Sequence, residues 1–117
     1  MKIYLPHSKQ LEFKPLYSAI RNSSVLAQHQ WVFPYENTSI PTDSKQVINS
    51  VDLLLAEVSY PGTGLGIELG WADFMKKKII CIYKENSIPA RSLASISQNF
   101  ISYKTIPDLI TQLEKEI

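Results

Sequence analysis

The stretch VDLLLAEVSYPGTGLGIELGWADF, residues 51–74, decides the fold. Residues 51–58 are apolar almost throughout, which is typical of a parallel strand that is buried on both faces. After a turn at residues 59–64, apolar residues recur at helical spacing, at Leu65, Leu69, Ala72 and Met75. The stretch therefore predicts a strand, a glycine-rich turn and a helix that runs to about residue 77.

The same kinds of pattern predict the other strands and helices of the chain. Short apolar runs indicate strands at residues 2–5, 30–33, 79–83 and 100–103. Ser8 is a candidate N-cap for a helix over about 9–21, which Pro15 makes irregular or late-starting. Thr42 and Asp43 are candidate caps of a short helix over about 42–49, and Pro107 opens a last helix to residue 115. Residues 35–41 and 86–97 are predicted loops, the second with a short helical turn.

Strand and helix alternate five times along the chain, which indicates an α/β fold. We predict a flavodoxin-like or Rossmann-like three-layer sandwich, in which a five-stranded parallel sheet of order 2-1-3-4-5 lies between helices. Residues 1–117 form a single domain. In such sheets ligands bind where strands 1 and 3 diverge, so the loops at Pro6–Ser8 and Ser59–Gly64 are the expected binding loops.

The composition restricts the class of partner. The chain is 44% hydrophobic and 20% charged, and its net charge of +1 gives no electrostatic reason to bind nucleic acid or an anionic membrane. Cys81 is the only cysteine, no cysteine and histidine set has zinc spacing, and we predict neither a metal nor a cofactor. With no secretion signal and no apolar run of about 20 residues, we expect a cytoplasmic protein.

The glycine-rich turn has two interpretations. Glycines at 62, 64 and 66 let backbone N–H groups converge on an anion at the start of a helix, or they simply allow tight packing of the helix on the strand. The turn fails as a dinucleotide motif because Leu69 stands where a third glycine is needed. It also fails as a P-loop, since no lysine and serine or threonine follow the glycines.

Glu68 lies in or near the first turn of the predicted helix. The helix dipole favours its ionised form, which either complements the dipole or acts as a nucleophile on an electrophilic carbon. Tyr60 and Trp71 either stack on a planar ligand or pack against the core.

The pattern D-x-x-x-A-E-V-S-x-P-x-x-G-x-G-x-E-L-G, residues 52–70, resembles the signature of the nucleoside 2-deoxyribosyltransferase family and its 2′-deoxynucleoside 5′-phosphate N-hydrolase relatives. The resemblance implies that Glu68 attacks C1′ of the sugar and releases the base. It also implies a glycosyl-enzyme ester that water or a second base resolves. The resemblance further implies that the substrate is a nucleoside or nucleotide and that the protein is a homo-oligomer.

The same resemblance assigns the remaining site residues. Relatives carry serine or aspartate where Gly62 stands, with Thr63 next to it, and a helper aspartate near Ser44, which makes Asp43 the second catalytic candidate beside Glu68. The predicted substrate-binding residues are His7, Ser8, Ser44, Glu57, Tyr60, Gly62, Thr63, Gly64 and Gly66. His7 has an open alternative as an ordinary surface residue of the first loop.

Three functions follow from these patterns. The first is an enzyme that cleaves or transfers the N-glycosidic bond of a deoxynucleoside or its 5′-monophosphate, and the short chain favours hydrolysis. The second is a catalytically impaired module that binds nucleotides, as the departures at Gly62, Ser44 and the first loop suggest. A signalling domain on the same fold is disfavoured, because no acidic pair follows the first strand.

Overall fold

Five parallel strands form the sheet of this computed structural model, which describes residues 1–36 and 43–117. The strands are β1 (Lys2–Tyr4), β2 (Gln30–Val32), β3 (Leu53–Glu57), β4 (Lys78–Lys84) and β5 (Asn99–Tyr103). Their order is β2-β1-β3-β4-β5, and every neighbouring pair is parallel. The predicted topology is confirmed.

Four helices cover the two faces of the sheet: α1 (Lys14–Asn22), α2 (Ser44–Ser50), α3 (Thr63–Phe74) and α4 (Ile106–Glu116). Short 3₁₀ turns lie at Leu26–Gln28 and Arg91–Ser95. Successive residues of β3 point to opposite faces, so Leu55 packs with α1 and α4 whereas Leu54 packs with α2 and α3. The result is the predicted arrangement of three layers with one apolar core on each side of the sheet.

The first helix begins late, which is one of the two effects expected of Pro15. It starts at Lys14 with Phe13 as N-cap, so Pro15 lies in the first turn, where its missing N–H costs nothing. A helix from residue 9 would place Pro15 in the interior, where its ring clashes with the preceding turn. The prediction of Ser8 as N-cap is therefore wrong, and the Ser8 hydroxyl instead accepts the N–H of Gln10.

The second helix has the predicted acidic cap. A side-chain oxygen of Asp43 accepts the N–H groups of Lys45 and Gln46, and the helix begins at Ser44. Thr42 and most of the predicted loop at 35–41 lie outside the described residues.

The third helix ends at Phe74, three residues before the predicted end. Lys76 has a φ of 59°, a left-handed conformation that turns the chain towards β4. The Lys77 ammonium donates to the carbonyls of Asn49 and Val51 at the end of α2. No helix among the described residues combines the length and apolar character that crossing a membrane requires.

Candidate active site

A cleft of about 370 Å³ opens beyond the carboxyl ends of β1 and β3. A further parallel bridge between His7 and Glu57 extends the pairing of these strands, so that the two loops leave the sheet side by side. This is the predicted switch point of the topology. The Glu68 cleft, as we call it, is lined by His7, Ser8, Lys9, Gln10, Tyr35, Pro61, Gly62, Thr63, Gly64, Leu65 and Glu68.

Glu68 is the sixth residue of α3 and lies in its second turn, deeper than expected from the sequence. The Tyr4 hydroxyl of β1 donates a hydrogen bond of 2.5 Å to Glu68 Oε2. Burial, together with the charge of Glu68, raises the pKa of Tyr4, so the phenol remains a neutral donor. Ser44 of α2 hydrogen bonds to the same phenol. One carboxylate oxygen of Glu68 is thus held in place, and no other described residue forms a hydrogen bond with the carboxylate.

Sequence reasoning missed Tyr4, which it treated as an apolar strand residue. The available signal is alternation along β1, which directs Ile3 to the core beneath α1 and Tyr4 to the core beneath α3. A tyrosine that is 2% exposed needs a partner for its hydroxyl. Glu68, on the helix that packs over the same face, provides it.

The N-terminus of α3 is open to the Glu68 cleft. Its N-cap is Gly62, no described side chain caps it, and its first turn carries no acidic residue. The first N–H groups of a helix lack partners within the helix, and those of Thr63, Gly64 and Leu65 lie at the cleft. By contrast, Asp43 caps α2 and Thr105 caps α4. An anion is the natural partner of this open terminus.

Packing does not explain the glycines of this segment. A Cβ at Gly64, Gly66 or Gly70 would meet no neighbouring atom within 4 Å, and none of these glycines has a positive φ. A Cβ at Gly62 would lie 3.5 Å from Ser8 Oγ, which is an ordinary contact. The structure therefore gives no support to tight packing as the reason for these glycines.

His7 is buried, and both of its ring nitrogens are engaged by protein groups. Nδ1 lies 2.9 Å from the carbonyl oxygen of Ser8, which only accepts, so Nδ1 carries the proton. Nε2 lies 2.6 Å from the Tyr17 hydroxyl, and it accepts because burial lowers the pKa of His7 and keeps the ring neutral. Neither ring nitrogen of His7 is therefore free to bond to a ligand. The alternative that His7 is an ordinary surface residue is wrong, because it is only 3% exposed.

Four rings pack together behind and beside the Glu68 cleft. His7 stacks on Phe13 at 5.4 Å between ring centroids and contacts Tyr35 at 5.0 Å, and Phe13 lies 4.9 Å from Tyr17. The Tyr17 hydroxyl also accepts the backbone N–H of Tyr35. We call His7, Phe13, Tyr17 and Tyr35 the aromatic wall. It offers a planar ligand a rigid stacking surface.

Other predicted site residues lie away from the Glu68 cleft. The Asp43 carboxylate is occupied at the N-cap of α2, and Ser44 reaches Glu68 only through Tyr4. Glu57 is 1% exposed and accepts hydrogen bonds from the Ser59 backbone N–H, the Ser59 hydroxyl and the Tyr103 hydroxyl. These contacts tie the ends of β3 and β5 together, which is a structural role.

Tyr60 lines a second cavity, of about 610 Å³, beyond the ends of β4 and β5. The Lys84 ammonium lies 3.1 Å from the Tyr60 hydroxyl. This Tyr60 cavity is the larger of the two, yet it contains neither Glu68 nor the open end of α3. Trp71 lies under the Lys45 ammonium, and Gly66 does not line either cavity.

The described residues hold no group of three or more histidine, cysteine or acidic side chains arranged to bind a metal. Cys81 is buried in the core, where burial raises the pKa of its thiol to about 11. The groups with reactive or binding chemistry at the Glu68 cleft are therefore the Glu68 carboxylate, tyrosine hydroxyls, the Lys9 ammonium, the Ser8 hydroxyl and backbone N–H groups.

Comparison with known proteins finds similar sequences over part of this chain. No protein-family model matches the chain. A segment of 36 residues is 47% identical to a 5-hydroxymethyl-dUMP N-hydrolase of Esox lucius, and 49 residues are 35% identical to one of Branchiostoma floridae. These segments cover 31% and 42% of this chain, and 25% and 47% of the relatives' own length. The resemblance to the nucleoside 2-deoxyribosyltransferase family is confirmed.

Similar solved structures match this chain over its whole length. The Clostridium botulinum CMP N-glycosidase BcmB superposes over the full length of both chains with a TM-score of 0.75 at 22% identity. A conserved protein from Enterococcus faecalis V583 gives a TM-score of 0.68 at 16% identity, over all of this chain and 99% of that chain. At these identities the likeness establishes the shared fold.

Proposed function

We propose that this protein hydrolyses the N-glycosidic bond of a pyrimidine nucleoside 5′-monophosphate, with Glu68 as the nucleophile. The observation that carries the proposal is the pairing of Glu68 with Tyr4 at one side of a cleft whose other side is the aromatic wall. The names of the similar proteins support the substrate class, since 5-hydroxymethyl-dUMP and CMP are both pyrimidine nucleotides.

The phosphate is assigned to the open N-terminus of α3. The N–H groups of Thr63 and Gly64 supply donors there, and the missing side chain at Gly62 leaves room for phosphate oxygens. Lys9 and the Ser8 hydroxyl line the same end of the Glu68 cleft and add a positive charge and a polar group. We assign the base to the rings of His7 and Tyr35, which line the cleft as part of the aromatic wall.

The reaction proceeds in two displacements. The free oxygen of Glu68 attacks C1′, the C1′–N bond breaks, and its electron pair leaves with the base. Water then attacks C1′ of the glycosyl ester, its hydroxyl stays on the sugar, its proton balances the released base, and the Glu68 carboxylate is restored. Tyr4 holds Oε2 throughout, so that attack occurs through Oε1.

Asp43 has an indirect role in this proposal. Its carboxylate caps α2, the helix that carries Ser44 to the Tyr4 phenol. We therefore propose that Asp43 positions the Ser44–Tyr4–Glu68 chain of hydrogen bonds without contacting substrate. Glu57 likewise supports the turn at Ser59 from below.

A module that binds nucleotides without cleaving them is the alternative. One observation favours it: Glu68 is the only carboxylate among the described residues that line the cleft, whereas glycosidases ordinarily use two. The two functions differ in whether the base is released.

Base release from a panel of nucleosides and their 5′-monophosphates, followed by chromatography, tests the proposal. The protein should release base from pyrimidine 5′-monophosphates in preference to the nucleosides, and Glu68→Gln should abolish release while still binding nucleotide. Glu85→Gln, which changes a carboxylate outside the Glu68 cleft, is the matched control and should remain active. Binding without release by the unaltered protein would establish the alternative.

A further inference from the structure

The departing base requires a group that neutralises its developing negative charge. The titratable side chains that line the Glu68 cleft, among the described residues, are His7, Lys9, Tyr35 and Glu68. His7 has both nitrogens engaged by Ser8 and Tyr17. Lys9 adjoins Ser8 at the phosphate end of the cleft. Tyr35 remains, and it lines the same cleft as Glu68.

The topology places Tyr35 and Glu68 on opposite sides of the cleft. Tyr35 follows β2, Glu68 lies on the helix that follows β3, and β1 runs between these two strands. The strands that precede them, β2 and β3, are two strand spacings of about 4.8 Å apart, which is roughly 10 Å. A displacement at C1′ needs its nucleophile and its leaving group on opposite faces of that carbon, and a sugar ring fits in this interval.

The Tyr35 ring is held firmly in this position. It contacts His7 at 5.0 Å and Phe13 at 5.6 Å, and its backbone N–H donates to the Tyr17 hydroxyl. Burial, and next the charge of Glu68, raises the pKa of Tyr35, so the hydroxyl retains its proton at neutral pH. The group facing the base is therefore a neutral donor in a fixed place.

We propose that Tyr35 is a second catalytic residue, whose hydroxyl donates a hydrogen bond to the O2 carbonyl of the pyrimidine as the C1′–N bond breaks. The inference rests on the proposed function. The bond electrons move onto the base and its O2 oxygen, Tyr35 stabilises that oxygen, and the released base takes its proton from water. Tyr35 keeps its own proton throughout the reaction, so no proton has to return to it between turnovers.

Tyr35→Phe, assayed on 5′-monophosphates of deoxyuridine, 5-fluorodeoxyuridine and 5-nitrodeoxyuridine, tests the inference. These bases leave with increasing ease as the ring substituent withdraws more charge. We expect kcat to fall about 100-fold or more on the deoxyuridine substrate and less than about 10-fold on the nitro substrate, because a good leaving group needs less assistance. KM should change little, since the substitution keeps the ring at position 35 and every other residue that lines the cleft.

Tyr60→Phe is the control, because it removes a hydroxyl from the Tyr60 cavity and should leave all three rates unchanged. Equal losses on the three substrates, or no loss, would overturn the role of Tyr35 while leaving the proposed function intact. If the unaltered protein releases base from none of them, the proposed function fails and this inference fails with it.

Discussion

At the scale of single residues, the hydrogen bond from Tyr4 to Glu68 is the contact on which the proposed chemistry depends. It joins side chains 64 positions apart, one on the sheet and one on α3. A carboxylate that keeps one oxygen bonded to a fixed donor presents the other in a defined direction, which is what attack on C1′ requires.

Replacement of Tyr4 by phenylalanine tests this contact. We expect kcat to fall about 10- to 100-fold with KM nearly unchanged, because a hydrogen bond to a charged group is worth about 1.5–3 kcal/mol. Steady-state kinetics of base release, with Ser44→Ala as a milder perturbation of the same phenol, would measure it. A rise in KM without a fall in kcat would place Tyr4 in substrate binding instead.

His7 yields a prediction about pH. Its folded-state pKa is lowered mainly by burial, so the unfolded chain takes up a proton at a higher pH than the folded protein does. The stabilisation from the neutral ring is fully present above the ordinary histidine pKa of about 6.5, and is lost as the pH falls from there through the folded-state value.

Two measurements check this expectation. An NMR titration of the His7 ring should give a midpoint below about 6.5, and urea unfolding should show lower stability at pH 5.5 than at pH 7.5. A midpoint above that ordinary value would mean that the ring is charged in the fold and free to meet phosphate.

At the scale of elements, the start of α3 has no described side-chain cap and is the place that we assign to phosphate. Asp at position 62 would cap the helix, since the backbone there has φ −160° and ψ 138° and the added Cβ meets only Ser8 at 3.5 Å. Its carboxylate would also occupy the place assigned to phosphate.

Gly62→Asp should therefore stabilise the protein by about 0.5–2 kcal/mol and raise KM for a nucleoside 5′-monophosphate several-fold or more. Thermal unfolding and base-release kinetics give the two readings. Gly62→Ala adds the Cβ without the charge. Its gain in stability and its rise in KM should therefore both be smaller than those of Gly62→Asp. Unchanged KM in Gly62→Asp would remove the phosphate from this helix end.

Substitutions of Asp43, the N-cap of α2, test whether this residue positions other groups or takes part in the reaction itself. Asn caps a helix about as well as Asp, whereas Ala does not, so Asp43→Asn should retain stability and base release within a few-fold. Asp43→Ala should lose about 1 kcal/mol of unfolding free energy. Loss of activity in Asp43→Asn, with stability retained, would show that the carboxylate itself takes part in the reaction.

At the scale of the whole molecule, the sequence predicted the sheet well because its strands are apolar runs with little ambiguity. Residues 51–58 and 79–83 are near-continuous apolar runs, as central parallel strands require, and the alternation with helices then leaves few topologies. The sequence placed the glycine-rich turn and Glu68 at the carboxyl end of β3 for the same reason, since both follow that strand.

The remaining features depend on contacts between distant segments. Tyr4, Tyr17 and Tyr35 belong to different elements, and only the folded chain brings the first to Glu68 and the others to His7. Ser8 failed as a cap because Pro15, seven residues further on, decides where α1 begins. The start of α1 depends on both residues together, so it cannot be predicted from Ser8 or from Pro15 alone.

Self-association remains a prediction from the family resemblance. Light scattering on the purified protein should give a mass of at least twice the 13.3 kDa of one chain. A mass of one chain at micromolar concentration, together with full activity, would show that the Glu68 cleft works without a partner subunit.

The most direct test of the account is to trap the glycosyl ester on Glu68. A 2′-deoxy-2′-fluoro pyrimidine 5′-monophosphate slows both displacements, because fluorine disfavours positive charge at C1′, and its slow breakdown lets the intermediate accumulate. Mass spectrometry should show the fluorosugar phosphate attached to the peptide that contains Glu68, and no adduct in Glu68→Gln. An adduct on another residue, or base release at the unaltered rate by Glu68→Gln, would contradict the account.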